Sequence, residues 1–295
     1  MYKDSIKAQF RLMISGISFK VSFMLVFGLS LISYILNIMT YQNTDISQMM
    51  SATALFMLND TAPLFGYLEV MLPIIAVFPF VFSSLDDQEM NIYPYIFTRQ
   101  SRKLYLYSKY IVSIIGGFIV LFIPLLINWL LCMVTFPINK NTFWGGYNEL
   151  YYQATLVGDN WEILSRHSGL PFLKLYLFSP VLYSFFFIFI ASLLSSAFSA
   201  ISFAFSLVLR KHKILLLLPG FLIFTALRLL NAYIYSLNGR GIPYLNVNLF
   251  QYIQISGYTI GKSFLFFFLM ILFFFFTSFL GVQFTLRRRS RRRNE

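Results

Sequence analysis

A cluster of charged side chains stands out in a chain that has few of them. The stretch Ser83–Tyr110, SSLDDQEMNIYPYIFTRQSRKLYLYSKY, carries Asp86, Asp87 and Glu89 in its first half and Arg99, Arg102, Lys103 and Lys109 in its second. Such a set can pair internally or present charge to a partner. Ser84-x-x-Asp87 has capping-box spacing, which predicts a short helix from near Leu85. Pro94 predicts an end or a kink at Tyr93. A second helix is expected to start at Ser101 and run through Lys109. Between the two, Tyr93, Tyr95, Ile96 and Phe97 form an apolar, aromatic tip. An apolar tip between an acidic and a basic half suits docking into a protein groove. A plain lipid-facing loop is the other reading of the same residues.

Other candidate chemistry is sparse. Gly257–Ser263 reads GYTIGKS, but a phosphate loop needs four residues between its glycines, and this stretch has three. No nucleotide site is expected on the chain. His167 and His212 are isolated and fall in expected loops, so no metal site is expected. A membrane-embedded metalloprotease or Ser-His hydrolase would need a histidine within a span, so no enzyme activity is expected either. Cys132 is the single cysteine and lies in an apolar run, where it reads as packing. Glu69 and Arg228 are the ionisable residues within apolar segments, both toward the outer face. They are expected to pair across helices, or Arg228 to snorkel outward.

The elements that carry these residues follow from composition. The chain has 295 residues, 58% hydrophobic, 20% aromatic and only 12% charged. A soluble domain carries roughly 25% charge. The expected fold is an all-α integral membrane protein with six transmembrane helices near Phe19–Met39, Leu64–Phe82, Tyr110–Val134, Pro180–Leu209, Ile214–Tyr235 and Ser263–Leu286. The first run is not followed by a small-residue cleavage site and is expected to remain as a span.

Charge sets the orientation. Most of the 23 Lys and Arg residues fall on alternate segments: Lys3, Lys7, Arg11 and Lys20; then Arg99, Arg102, Lys103 and Lys109; then Arg210, Lys211 and Lys213; then the arginines of Arg287–Arg293. The positive-inside rule therefore predicts that both termini are cytoplasmic. The net charge of +12 sits at the ends of apolar segments, which points to membrane lipids and not to nucleic acid.

The connecting segments differ. Thr40–Pro63 is expected as an outer loop. Phe136–Phe172 is the large outer loop, and its Trp144, Tyr147, Tyr151, Tyr152 and Trp161 suit a headgroup belt or a vestibule lining. Ser236–Gly261 is polar and Gly-rich and is expected to re-enter the outer leaflet in part. Residues 1–18 read as an interfacial amphipathic helix, with Ile6, Phe10, Met13 and Ile17 at helical spacing and Lys3, Lys7 and Arg11 flanking them. A basic anchor without fixed structure is the alternative. In the fourth span Ser192, Ser195, Ser196, Ser199, Ser202 and Ser206 recur at steps that let helices pack closely, or that give a path a polar lining. The division is residues 1–18, the membrane domain 19–286 and the basic tail 287–295.

The run from Glu89 through Arg99, Ser101 and Arg102 to Lys109 resembles the inner loop of ABC exporter permeases of the type-2 superfamily. The stretch YIFTRQSRKLYLYSK carries the likeness. Met90 and Asn91 stand near the place of that family's Gly-Thr pair. Six spans, the N-terminal interfacial helix and the polar loop before the last span extend it over the chain. The resemblance implies a permease of a bacterial plasma membrane, paired with an identical or related permease. It implies no cofactor on this chain, with ATP and Mg held by a separate cytoplasmic ATPase. The loop 83–109 would couple to that ATPase, through Glu89, Tyr93, Arg99, Arg102 and Lys109. Cargo would be amphipathic: an antimicrobial peptide, a hydrophobic drug or a lipid. A secondary carrier or channel acting alone is the competing expectation.

Overall fold

The computed structural model describes residues 2–46, 49–59, 62–138, 141–142, 145–146, 172–208, 216–237, 247–253 and 263–291. Among these the secondary structure is helical, apart from a two-residue antiparallel pair, β1 (Asn141–Thr142) with β2 (Gly145–Gly146). Four helices are long and apolar enough to cross a membrane: α2 (Ile17–Tyr41), α7 (Arg102–Thr135), α9 (Pro180–Ser206) and α11 (Ser263–Arg291). This is the build of a multi-pass membrane protein. Two shorter apolar helices, α4 (Phe65–Val77) and α10 (Leu218–Leu237), fall where the second and fifth spans are expected. The short helices are α1 (Tyr2–Ser15), α3 (Ala52–Leu55), α5 (Ser83–Glu89), α6 (Tyr93–Arg99) and α8 (Leu173–Phe178).

The bundle is apolar outside, and small polar residues are set among the apolar ones inside. On α2 the buried face is Phe19, Ser22, Val26, Ser30, Ser33 and Asn37, at helical steps. Val21, Met24, Ile32, Ile35 and Met39 point outward and are at least half exposed. In water this arrangement would waste the apolar surface. In lipid it costs nothing, and small polar residues inside let helices come close and bond across the gap.

The same logic builds the central contact. The serines at positions 192, 195, 196, 199, 202 and 206 of α9 are all buried. Ser195 donates to the Gly117 carbonyl of α7 at 2.7 Å, and Ser199 to the Ser113 carbonyl at 2.8 Å. Their reading as packing residues accounts for what is seen. On the other flank of α9, Phe198 meets Phe274 of α11, and Gly281 lies under Ala204. Tyr110 of α7 bonds Ser278 of α11 at 2.7 Å.

Prolines explain the short second span. Pro79 cannot donate to the carbonyl four residues back, so the helix ends at Val77. The chain continues through turns over Phe78–Phe82 into α5. Expected Leu64–Phe82 is thus a helix of 13 residues with a turn stretch below it. Gly16, extended at φ −65° and ψ 141°, separates α1 from α2 and breaks the amphipathic stripe. Ile6, Phe10 and Met13 pack inward on α1, whereas Ile17 lies beyond the break and is 78% exposed.

Thr40–Pro63, expected as an outer loop, is exposed at Gln42, Asn43, Asp45 and Ile46 but packed into the protein in its second part. Ser51–Asn59 is buried throughout, with Phe56, Met57 and Leu58 at 0% exposure. Irregular backbone at that depth needs protein partners. Asn128 of α7 supplies one, accepting from Met57 N–H at 3.1 Å, and donates to the Ser30 carbonyl of α2 at 2.7 Å. Asn37 donates to the Leu55 carbonyl at 2.6 Å. Within Ser236–Gly261, Val247–Ile253 is also packed in, around a 3-10 helix at Leu249–Tyr252. Most of Phe136–Phe172, both histidines and Gly257–Lys262 lie outside the described residues.

A Cβ added at Gly117 would stand 2.7 Å from Ser199 Cβ and 3.1 Å from the Ser195 carbonyl oxygen, while one at Gly28 would meet nothing within 4 Å. Gly117→Ala is therefore expected to cost about 1–3 kcal/mol through forced separation of α7 and α9. Gly28→Ala should leave stability unchanged or slightly raised. Melting temperatures of the two variants in one detergent check this, and equal melts would refute the tight contact.

Candidate functional site

The charged island folds as an elbow of three helices. α5 ends at Glu89, and the chain reverses through Asn91, whose φ of 52° is left-handed, a conformation asparagine tolerates. Pro94 then occupies the first turn of α6. Proline is at ease there, because its missing N–H would have no partner in any case. The expected end of a helix at Tyr93 is therefore the start of one, and the break falls at Met90–Ile92. Ser101 caps α7 as expected, its hydroxyl accepting from Leu104 N–H at 3.4 Å. The helix then runs on for 34 residues without pausing at the expected membrane boundary.

Lys109 holds the elbow together. Its side chain is 1% exposed. Nζ donates to Asp87 Oδ2 at 2.6 Å and to the Ser83 carbonyl at 2.7 Å. It also lies 5.0 Å from the Tyr105 ring centre and 5.6 Å from that of Phe80. Tyr105 is fully buried one helical turn earlier and donates to the same Asp87 oxygen. Tyr93 and Phe97 of α6 stack on each other and set their faces against Tyr105 at close to a right angle. Tyr93 also donates to the Ser84 carbonyl at 2.7 Å.

The expected capping box does not form. Asp87 is engaged by Lys109 and Tyr105, and Ser84 Oγ meets Ser206 Oγ of α9 at 3.1 Å. The aromatic tip is likewise turned inward. Tyr93, Ile96 and Phe97 pack on a core of Val81, Leu85, Tyr105 and Leu106, and only Tyr95 of the four projects, at 76% exposure. The N-terminal helix joins the assembly: Ser5 Oγ lies 3.1 Å from both Gln100 Oε1 and Ser108 Oγ.

The candidate residues therefore separate into two groups. Glu89 and Arg99 are exposed, with Met90, Pro94, Tyr95, Thr98 and Lys103 beside them. Tyr93 and Lys109 face inward and brace the elbow. Arg102 is intermediate, its guanidinium 5.8 Å from the Phe97 ring centre. Of the other bracing residues, Asp87 and Ser206 stand in the capping-box and serine patterns, which assigned them different partners, and Tyr105 stands in neither. The signal for Tyr105 was present: it precedes Lys109 by four residues and so shares its helix face.

Glu69 and Arg228 are brought to one place. They line a pocket of about 390 Å³ with Phe65, Gly66, Asn231, Ala232, Asn248, Phe250 and Gln251. Among the described residues no group of His, Cys, Asp and Glu is arranged to hold a metal ion. Comparison with protein-family models, curated proteins and solved structures finds no match to this chain.

Removing one member of a buried ion pair leaves the other uncompensated, at a cost of about 3–5 kcal/mol. Lys109→Met and Asp87→Asn are each expected to destabilise the protein by an amount near the lower end of that range, since Asp87 retains some exposure. The double variant should lose less than the sum of the two. Thermal melts of the four proteins test the coupling, and strict additivity would contradict it. Asn128→Leu strands Met57 N–H and is expected to cost about 1–3 kcal/mol, read as a lower melting temperature.

Proposed function

We propose that the chain is the permease subunit of a bacterial ABC exporter of the type-2 kind, with six spans and both termini in the cytoplasm. It pairs with an identical or related permease, and a separate cytoplasmic ATPase holds ATP and Mg. The elbow α5–α6 is the surface on which that ATPase docks. α4 with its turn stretch and α10 complete the six spans beside the four long helices. The cargo is amphipathic, such as an antimicrobial peptide, a hydrophobic drug or a lipid.

The observation that carries this reading is the build of the elbow. Its interior is braced by the Asp87–Lys109 pair and the Tyr105 cluster, while its outer face is charged and exposed at Glu89, Arg99 and Lys103. A rigid element with a polar exterior is what a docking lever requires. It also continues into α7, which at 1.5 Å per residue is about 51 Å long. A push on the elbow is thereby delivered along the bundle, where it can favour one of two packings over the other. Glu89 and Arg99 are the docking residues in this reading. Lys109 and Tyr93 keep the elbow stiff, and Arg102 supports α6 from beneath.

Expression of the chain with its genomic neighbours, followed by purification in mild detergent, tests the proposal. An ATPase subunit is expected to copurify, and Arg99→Glu should weaken that association by about tenfold, as expected for loss and reversal of a charged contact. Membrane insertion and melting temperature should be unchanged, because Arg99 is exposed. Absence of any ATPase, with transport by the chain alone in vesicles, would assign it instead as a carrier or channel.

A further inference from the structure

The pocket shared by Glu69 and Arg228 gathers charged and amide side chains between two otherwise apolar helices. α4 and α10 form its two sides, and the 3-10 helix at Leu249–Tyr252 closes it. A Cβ added at Gly220 of α10 would stand 3.4 Å from the Pro73 carbonyl oxygen of α4, so the two helices pack closely at that level. Glu69 projects from α4 and Arg228 from α10. Asn231 is 6% exposed, and its Oδ1 accepts from Val247 N–H at 3.0 Å. That leaves its amide NH2 end as the group it can offer a ligand. Phe65 and Phe250, at 5% and 2% exposure, form an apolar floor.

The surroundings of this polar recess are apolar. Beside it on α4, Tyr67, Val70 and Met71 are 64%, 40% and 41% exposed. On α10, Leu229, Leu230 and Tyr233 are 66%, 47% and 61% exposed. A guanidinium placed on so apolar a helix is expensive in a membrane unless an anion or water meets it. The recess thus gathers one anion-binding fork, one carboxylate and an amide donor between helix faces suited to hydrocarbon. A volume of about 390 Å³ lies within the usual ~300–1,000 Å³ range of small-molecule clefts.

We infer that this pocket binds the zwitterionic headgroup of a membrane lipid that carries both a phosphate and a primary ammonium, as phosphatidylethanolamine does. Arg228 takes the phosphate, for which its planar fork is suited. Glu69 takes the ammonium. Asn231 donates to a remaining phosphate oxygen, and the acyl chains run over Val70, Met71 and Leu229. An anionic lipid of similar size satisfies Arg228 but sets its uncharged end against Glu69. The site is therefore selective for the zwitterion. This inference does not depend on an ATPase docking elsewhere on the chain.

Native mass spectrometry of the full-length protein, delipidated in detergent and given equal amounts of phosphatidylethanolamine and phosphatidylglycerol, tests it. The wild type is expected to retain phosphatidylethanolamine preferentially, by about tenfold if one charge-assisted bond decides the selectivity. Arg228→Gln should reduce retention of both lipids at this site, and Glu69→Gln should abolish the preference while leaving phosphatidylglycerol bound. Melting temperatures verify that both variants fold. Equal retention of the two lipids by the wild type, or a preference untouched by both substitutions, overturns the proposal. Displacement of the lipid by water-soluble glycerophosphoethanolamine at equal concentration overturns the lipid assignment and makes the free headgroup the ligand.

Discussion

A lysine ammonium with 1% of its side chain exposed has to be neutralised where it stands. Desolvation of such a charge costs several kcal/mol, and only a close counter-ion with further hydrogen bonds offsets it. Asp87 and the Ser83 carbonyl meet that requirement, and both belong to α5. The position of α5 on α7 is thereby fixed. Once α5 is fixed, Tyr105 is enclosed, and Tyr93 and Phe97 can close on it only if α6 folds back across α7. Ser84 then reaches Ser206, which ties the elbow to the central helix α9. An apolar pair in place of Asp87 and Lys109 would fill the space, but it would not select one register of α5 over another. Specificity of arrangement is what this pair contributes.

Elsewhere in the bundle the same shortage of water acts on the backbone. Hydrocarbon offers no hydrogen bonds, so every group in the irregular stretch Ser51–Asn59 depends on the protein. Asn128 and Asn37 take that part with their side-chain amides. The serines of α9 act less expensively. They bond to carbonyls that are already engaged in helices, and their small size brings α7 and α9 into contact. One set of polar residues makes an irregular segment tolerable, and the other draws regular segments together.

The sequence was legible where periodicity and length decide. Long apolar runs predicted α2, α9 and α11 closely, and Ser101 marked the start of α7. The serine pattern predicted a packed face. It was misleading where a local signal competed with a partner distant in sequence. Ser84 and Asp87 have capping-box spacing, but Ser206 and Lys109 outbid that local use, because a buried charge gains more from a counter-ion than a helix end gains from a cap. Pro94 signalled a break correctly, but not which helix it belonged to, since proline is compatible with the residue after an end and with a first turn alike. Thr40–Pro63 looked like a water-facing loop because it lacks a long apolar run. Nothing local to it reveals Asn128, which lies in another helix.

α7 links the two places where the polar interior is most demanding. Lys109 lies near one end and Asn128 near the other, about 28 Å apart along the axis. Between them Pro124 removes one helical hydrogen bond, and its ring crowds the carbonyl of Val120, which makes this the weakest point of the helix. The Lys109 side is locked to α5 and, through Ser113 and Gly117, to α9. The Asn128 side is locked to α2 and to the buried stretch Ser51–Asn59. A displacement of the elbow has two outlets: rotation of the whole helix, which must break the Ser113–Ser199 contact, or bending at Pro124, which preserves both clamps. The second retains more hydrogen bonds. The contacts of α7 around Lys109 and those around Asn128 are thus separated by the one proline within the helix.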